Sequence, residues 1–180
     1  MRGDNLMKKA VQVVPYDDAW PGAFRREDRR LAHLLGPAAV AVHHIGSTSV
    51  PGLCSKPVLD VLVETPDLAL IDQLEPELVA AGYVAKGEYG IAGRRYFSRP
   101  ADTELKTHVH VFREGNSVVA RHLLFRDYLR LHPHVAAEYC ALKRHLAHEC
   151  GRDAEGYQAG KSSFISRIES LAAGRAAESL

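Results

Sequence analysis

The chain has 180 residues, 46% of them hydrophobic and 25% charged, enough apolar material for one core of ordinary composition. Its 23 basic and 22 acidic side chains leave a net charge of +1, which excludes the strongly basic balance of a general nucleic-acid binder. The apolar runs are strand-sized, far below the ~20 residues that cross a bilayer, and no signal core follows Met1–Lys9, so a cytoplasmic protein without a membrane segment is expected.

Residues 1–10 read as a loosely ordered leader and residues 11–173 as one domain. Val11–Val14 is a short extended run stopped by Pro15. Asp17 or Asp18 can cap a helix that carries Trp20, Phe24, Leu31, Leu34 and Leu35 on one face, with Pro21 tolerated in its first turn. Ala39–Ile45 is β-rich and ends at Gly46-Ser47. Val58–Val63 is a buried strand interrupted only by Asp60. A helical stretch from Pro66-Asp67 carries Leu68, Ile71, Leu74 and Leu78, and Pro76 kinks or splits it.

Tyr83–Lys86 and Arg94–Ser98 read as a hairpin joined by a connection with three glycines. Thr107–Arg113 alternates, with Val109 and Val111 on one side and His108, His110 and Phe112 on the other. Ser117 is a candidate cap for the first of three C-terminal helices. These reach about Leu131, run from Pro133 to Gly151, and fill Asp153 to about Ala173. Leu131 reads as core, and Arg29, Arg30, Lys143 and Arg144 as exposed helix charges. The order predicts an α/β (α+β) fold. A small mixed sheet spans about residues 38–113, helices pack on one of its faces, and residues 117–173 form a helical part. Cys54, Cys140 and Cys150 are an odd set without Cys-x-x-Cys, so free thiols in a reducing compartment are expected.

Chemistry concentrates between residues 44 and 60. Gly46 lets backbone N–H groups approach an anion, Ser47, Thr48 and Ser49 add hydroxyls, and Lys56 adds a point charge. Asp60 sits in an apolar strand, where a carboxylate is costly unless it is paired, hydrogen-bonded or metal-bound. Parity makes His44 the better candidate of the His43-His44 pair. His108 and His110, about 6.5–7 Å apart along one strand face, are candidates for a metal or a phosphate. One of Arg94 and Arg95 should point into the cleft, where its planar fork suits phosphate. Glu88 is a weaker candidate for an extra acid. Tyr157 and Lys161 share a helical face, from which the lysine can reach a polyphosphate.

His44-Ile45-Gly46-Ser47-Thr48-Ser49-Val50-Pro51-Gly52-Leu53 followed by Lys56-Pro57-Val58-Leu59-Asp60 resembles the signature of the GrpB-like family. Gly93–Phe97, Thr107–Val111, Phe125–Leu129 and Tyr157-x-x-Gly160-Lys161 resemble its later blocks, and the similarity covers about residues 10–172. The resemblance implies the nucleotidyltransferase fold of the DNA polymerase β type in a family described as predicted nucleotidyltransferases, some of them fused to dephospho-coenzyme A kinase. It implies a nucleotide or another phosphorylated small molecule as partner, and Mg²⁺ or Mn²⁺ as cofactor. Asp60 would be the catalytic carboxylate, with Asp60 and His108 as metal ligands. His44, Gly46, Ser47, Thr48, Lys56, Arg94, Arg95, His110 and Lys161 would be the phosphate or nucleotide contacts.

One position departs from the pattern. The second carboxylate of this fold stands two residues after the first, and here that residue is Leu62. Glu64 shares the face but lies about 13 Å along the strand. Two readings follow: metal-assisted transfer of a nucleotidyl or phosphoryl group to a small molecule, or a nucleotide- or coenzyme-binding module without catalysis. A third, a metal-assisted hydrolase built on the histidines, has no supporting motif.

Overall fold

The computed structural model describes residues 10–100 and 105–178. All but the last residue of the expected leader lies outside them. Helix α1 (Trp20–Leu35) carries Pro21 in its first turn, and the Asp17 carboxylate accepts the Ala19 N–H at 2.8 Å just ahead of it. Its buried positions, Trp20, Ala23, Glu27, Leu31 and Leu35, follow the spacing of one helical face. Five strands form one sheet: β1 (Ala41–Ile45), β2 (Val58–Thr65), β3 (Val84–Ala85), β4 (Arg94–Arg99) and β5 (Lys106–Arg113), in the order β1-β2-β5-β4-β3. The central β2–β5 pair is parallel and the other pairs are antiparallel, so the sheet is mixed. Between β2 and β3 lie α2 (Leu68–Gln73) and α3 (Glu75–Ala80). The chain breaks at Leu74, and Pro76 stands in the first turn of α3, as its missing N–H dictates.

Strand alternation gives the sheet two unlike faces. Leu59, Val61 and Val63 of β2, Val109 and Val111 of β5 and Phe97 of β4 pack against Leu31 and Leu35 of α1, Ile71 of α2 and Leu78 of α3. Each such aliphatic side chain contributes about 1.5–3 kcal/mol on burial. This face also holds a charged network. Tyr83 Oη donates to Glu27 Oε1 at 2.5 Å and Arg99 Nη2 donates to Glu27 Oε2 at 2.8 Å.

The second face shows Asp60, Leu62 and Glu64 of β2 beside His108, His110 and Phe112 of β5, and these beside Ser98, Tyr96 and Arg94 of β4. Helix α4 (Ser117–Leu131) covers one end of it, where Ile45, Leu62 and Phe112 form an apolar cluster with Val119. Helices therefore pack on both faces, not on one as the sequence suggested. Three apolar side chains among polar ones were too weak a stripe to announce this cover. Asn116 rather than Ser117 caps α4, accepting the Val118 N–H at 2.9 Å. Leu131, expected in the core, is 76% exposed at the helix end.

Helices α5 (Pro133–Cys150), α6 (Ala154–Gly160) and α7 (Ser162–Glu178) complete the fold. The expected third C-terminal helix is thus two, broken at Lys161. A second core joins Val50 and Leu53, from the loop after β1, to Leu129, Val135, Tyr139, Phe164 and Ile168. The same loop is tied to α5 by a disulfide between Cys54 and Cys140, whose Cα atoms are 5.4 Å apart across 86 residues. This corrects the expectation of three free thiols. An odd count leaves one cysteine over, here Cys150, but does not forbid a pair that only the tertiary fold brings together. Among the described residues no helix is long and apolar enough to cross a membrane.

Candidate functional site

The turn after β1 is built against Asp60. Ile45, the last residue of β1, pairs with Asp60, and Gly46 follows with φ +69°. A Cβ on Gly46 would meet Asp60 Oδ2 at 2.6 Å, so glycine is required by both conformation and space. Residues Ser47–Ser49 form a single 3₁₀ turn, closed by Ser49 Oγ donating to the Gly46 carbonyl at 2.6 Å. Helix α4 grips this turn from outside. Arg126 Nη1 donates to the His44 carbonyl at 3.2 Å, and Arg130 donates to the Ser49 carbonyl through Nε at 3.0 Å and Nη2 at 2.8 Å. Arg126 also pairs with Asp127, so the Arg126-Asp127 unit docks the helix.

Asp60 faces two histidines. His108 Nδ1 lies 3.3 Å and His110 Nε2 3.8 Å from Asp60 Oδ1, and the Tyr96 ring packs against both imidazoles. Arg94 Nη1 lies 3.2 Å from His110 Nδ1. A guanidinium only donates, so this contact leaves Nδ1 as acceptor and turns the Nε2–H of His110 toward Asp60. The Arg94 side chain is itself held by the carbonyls of Glu88 and Tyr89, at 3.1 and 2.6 Å. Burial alone would raise the Asp60 carboxyl. Hydrogen bonds and electrostatic attraction from His108 and His110 outweigh it and hold the group well below the usual carboxylate range. Behind them His122 is lowered to about 4, first by burial and then by His110 and Arg121.

Opposite Asp60 stand three lysines from three parts of the chain. Lys56 comes from the loop before β2, Lys143 from α5 and Lys161 from the break between α6 and α7. Together with Ser47, Asp60, His108 and Tyr157 they line a cavity of about 160 Å³. Lys56 Nζ and Lys161 Nζ lie over the Tyr157 ring, 4.1 and 4.7 Å from its centroid, a contact that stabilises cations. Gly160 lets α6 lie close on α5, since a Cβ there would meet Leu146 Cδ2 of α5 at 2.5 Å. Lys143 is 2% exposed. Its Nζ lies 2.9 Å from Ser47 Oγ, contacts the Cys54 carbonyl, and sits 4.6 Å over the Tyr139 ring. Burial pushes Lys143 down to about 7, helped by Lys161. Lys161 falls to about 8, through burial and Lys56, against the opposing pull of Asp60. Burial also lowers Lys56, again opposed by Asp60.

The structure thus gathers Gly46, Ser47, Lys56, Asp60, His108 and Lys161, with His110 and Arg94 on the same sheet face. Three expected contacts lie elsewhere. His44 pairs with Val61 and shares its face, away from Asp60; it stacks on Phe24 of α1 at 4.7 Å and shares a 3.0 Å hydrogen bond with Thr48 Oγ1. Thr48 is buried in that contact. Burial, then Arg130, lowers His44 to about 4. His44 shares the parity of Val40 and Val42, and that face is the apolar one toward α1 rather than the polar face of the turn. Arg95 points to the α2 side and pairs with Asp72 at 2.5 and 2.8 Å, so of the two arginines Arg94 is the one on the site face. Glu88 accepts the Gly93 N–H at 2.7 Å and shapes its own loop.

Lys143 was missed. Expected as an exposed helix charge, it is buried with Val135, Ala136 and Tyr139 on the one face of α5 that docks inward. A larger cavity of about 620 Å³ lies on the other side of β1, lined by Tyr16, Phe24, His44, Arg126 and Arg130 among others. Two of its three arginines, Arg126 and Arg130, are spent on turn carbonyls and Arg25 is the third, whereas the smaller cleft gathers three lysines and a carboxylate.

The residues do not fit the two-metal centre that the resemblance implies. Leu62 occupies the second carboxylate position and is fully buried under α4. Glu64 is engaged by His43 at 2.8 Å. Asp60 and His108 contact each other, and among the described residues no three His, Cys, Asp or Glu side chains are grouped to hold a metal ion.

Comparison with known proteins agrees with this architecture. The model of the GrpB protein family matches residues 10–171. YqkA of Bacillus subtilis is 42% identical over 162 residues, which is 90% of this chain but 47% of YqkA, so the chain spans about half of that relative. The crystal structure of the conserved protein GrpB from Enterococcus faecalis superposes with a TM-score of 0.84 at 37% identity, covering 91% of this chain and 98% of the other. A MgATP-bound mutant of the Cid1 poly(U) polymerase superposes with a TM-score of 0.55 at 16% identity, covering 75% and 44% of the two chains, a likeness of fold. The chain belongs to the GrpB family and has the fold of the nucleotidyltransferases.

Proposed function

We propose that the Asp60 cleft binds the polyphosphate of a nucleotide through lysines in place of a metal pair, and presents it for nucleotidyl or phosphoryl transfer to a small molecule. The observation that carries this reading is the convergence of Lys56 and Lys161 at the cavity wall beside the Ser47 turn, with Asp60 as the single carboxylate among the lining residues. Preorganised cations in a small, partly dry cleft stabilise phosphate charge without reorganisation. Asp60, kept ionised by its histidines, would repel a phosphate placed directly on it. It therefore suits orientation of the lysines, or of an acceptor hydroxyl.

A second reading keeps Asp60 as a single-metal ligand for Mg²⁺ or Mn²⁺. It is favoured by the 30% exposure of the Asp60 side chain at the cavity wall.

Thermal melts with ATP separate the two. A ligand at about 100 times its dissociation constant adds ~2.7 kcal/mol, or about 5–10 °C for a chain of this size. The lysine reading expects that shift without divalent metal, its survival in Asp60→Ala and its loss in Lys161→Met. A shift that needs Mg²⁺ and disappears in Asp60→Ala would establish the metal reading instead.

A further inference from the structure

Lys143 differs in kind from the other two lysines. Lys56 and Lys161 lie against the Tyr157 ring at the cavity wall, whereas Lys143 is sealed beneath Ser47. No carboxylate pairs with it among the described residues, and an ammonium buried without a counter-charge gives up its proton more readily than an exposed one. A neutral amine has two N–H groups and one lone pair. As an ammonium, Lys143 Nζ donates to the Cys54 carbonyl and to Ser47 Oγ, 2.9 Å away; as a neutral amine it keeps the first bond and can turn its lone pair to the Ser47 hydroxyl. Ser47 in turn lines the cavity, on a turn pinned by Gly46 against Asp60 and by Arg130 against α4. A hydroxyl within hydrogen-bond reach of a neutral buried amine is the arrangement of a serine nucleophile with a lysine base.

We propose that Ser47 is a nucleophile and Lys143 its general base, and that the dyad takes a nucleotidyl group from a bound nucleoside triphosphate. Ser47 Oγ attacks the α-phosphorus, forming an Oγ–P bond. The bond from that phosphorus to the oxygen bridging α and β breaks, and pyrophosphate leaves with the electron pair. The Ser47 proton passes to Lys143 Nζ, and the resulting ammonium lies beside the new phosphodiester anion. Lys56 and Lys161 face the departing charge. An acceptor hydroxyl then attacks the same phosphorus, the Oγ–P bond breaks, Ser47 recovers its proton from the Lys143 ammonium, and the acceptor's proton leaves to water. This step rests on the nucleotide reading above, but the reactivity of Ser47 does not.

The titratable groups that face Lys143 are Tyr139 on its own helix, Lys161 and Tyr157 from the α6–α7 region, and Lys56, Asp60 and His108 around the cavity; of these Lys161 adds to the effect of burial. The test therefore begins without nucleotide. A small fluorophosphonate reagent should label Ser47 of the intact chain, as seen by mass spectrometry and peptide mapping, at a rate that rises as pH passes through about 7. Ser47→Ala should abolish the label and Lys143→Met should slow it by about 100-fold or more. Lys143→Arg, permanently charged, should not rescue it; melts of each variant confirm the fold. A wild-type Ser47 that stays unlabelled at pH 9 overturns the dyad.

With ATP, the expected product is a mass gain of one nucleoside monophosphate on the Ser47 peptide. A melt shift with ATP but no adduct overturns the transfer step while leaving nucleotide binding in place. Labelling of Ser47 without any nucleotide shift keeps the dyad and removes the nucleotide reading.

Discussion

The two faces of one sheet handle buried charge in opposite ways. On the α1 face, Glu27 is 2% exposed, yet both its oxygens accept, one from Tyr83 and one from Arg99. Around Asp60, three lysines crowd a cleft that holds one carboxylate, and two of them are pushed down to about 7 and 8. A closed network of this kind holds elements together and leaves nothing for a ligand. An unbalanced one costs stability and retains unspent interaction energy, which is where binding and catalysis are to be sought.

The largest expected effect lies on the closed side. Glu27→Ala removes the carboxylate that Tyr83 and Arg99 share and should cost about 3–5 kcal/mol in chemical denaturation. The ATP-induced melt shift per bound ligand should not change, because nothing in that network reaches the cleft. Equal losses of stability and of ligand response would erase the distinction between the faces.

Next is a pH effect on the open side. The folded values of Lys143 and Lys161 are lowered, to about 7 and about 8, from an ordinary 10.5. Between those values and 10.5 the unfolded chain binds more protons than the folded one, so stability should rise with pH across this window. Below about 7 both states are protonated and the contribution goes flat. The two shifts together set an upper bound of about 8 kcal/mol on the gain, which should be absent from a Lys143→Met, Lys161→Met double variant in urea titrations. Phosphate affinity should run the other way, falling as the lysines lose charge. A wild type whose stability is level from pH 7 to 10 would show that the lysines are not strained by burial.

The smallest effect belongs to an exposed pair. Arg95→Ala breaks the contact with Asp72, which sits near the surface on the α2 side. It should cost less than about 1 kcal/mol and leave ATP binding unaltered. A loss of binding would return Arg95 to the site from which its strand parity removes it.

Much of this contrast could be read in the chain. The periodicity of β5 put His108 and His110 on one face, the apolar run of β2 singled out Asp60, and Gly46-Ser47 marked the turn. These are local patterns, and a strand reports its own alternation. What it does not report is which alternate face meets which neighbour, and so His44 and Arg95 were assigned to the wrong side. Lys143 was lost for a different reason. A lysine on an amphipathic helix is ordinarily wet, and only the docking of α5 onto the Cys54 loop, fastened by the disulfide to Cys140, buries it. The family resemblance supplied the fold, and Leu62 stands where that fold has its second carboxylate.

The cleft draws Ser47, Asp60, His108, Lys143 and Lys161 from segments scattered over most of the chain. During synthesis at 5–20 residues per second, roughly 6–20 s separate the appearance of the serine from that of the last lysine. A nascent chain with its sheet complete would hold the acid and its histidines but only one of the three cations. The lysines of the cleft are therefore complete only after the helices that carry Lys143 and Lys161 have been made.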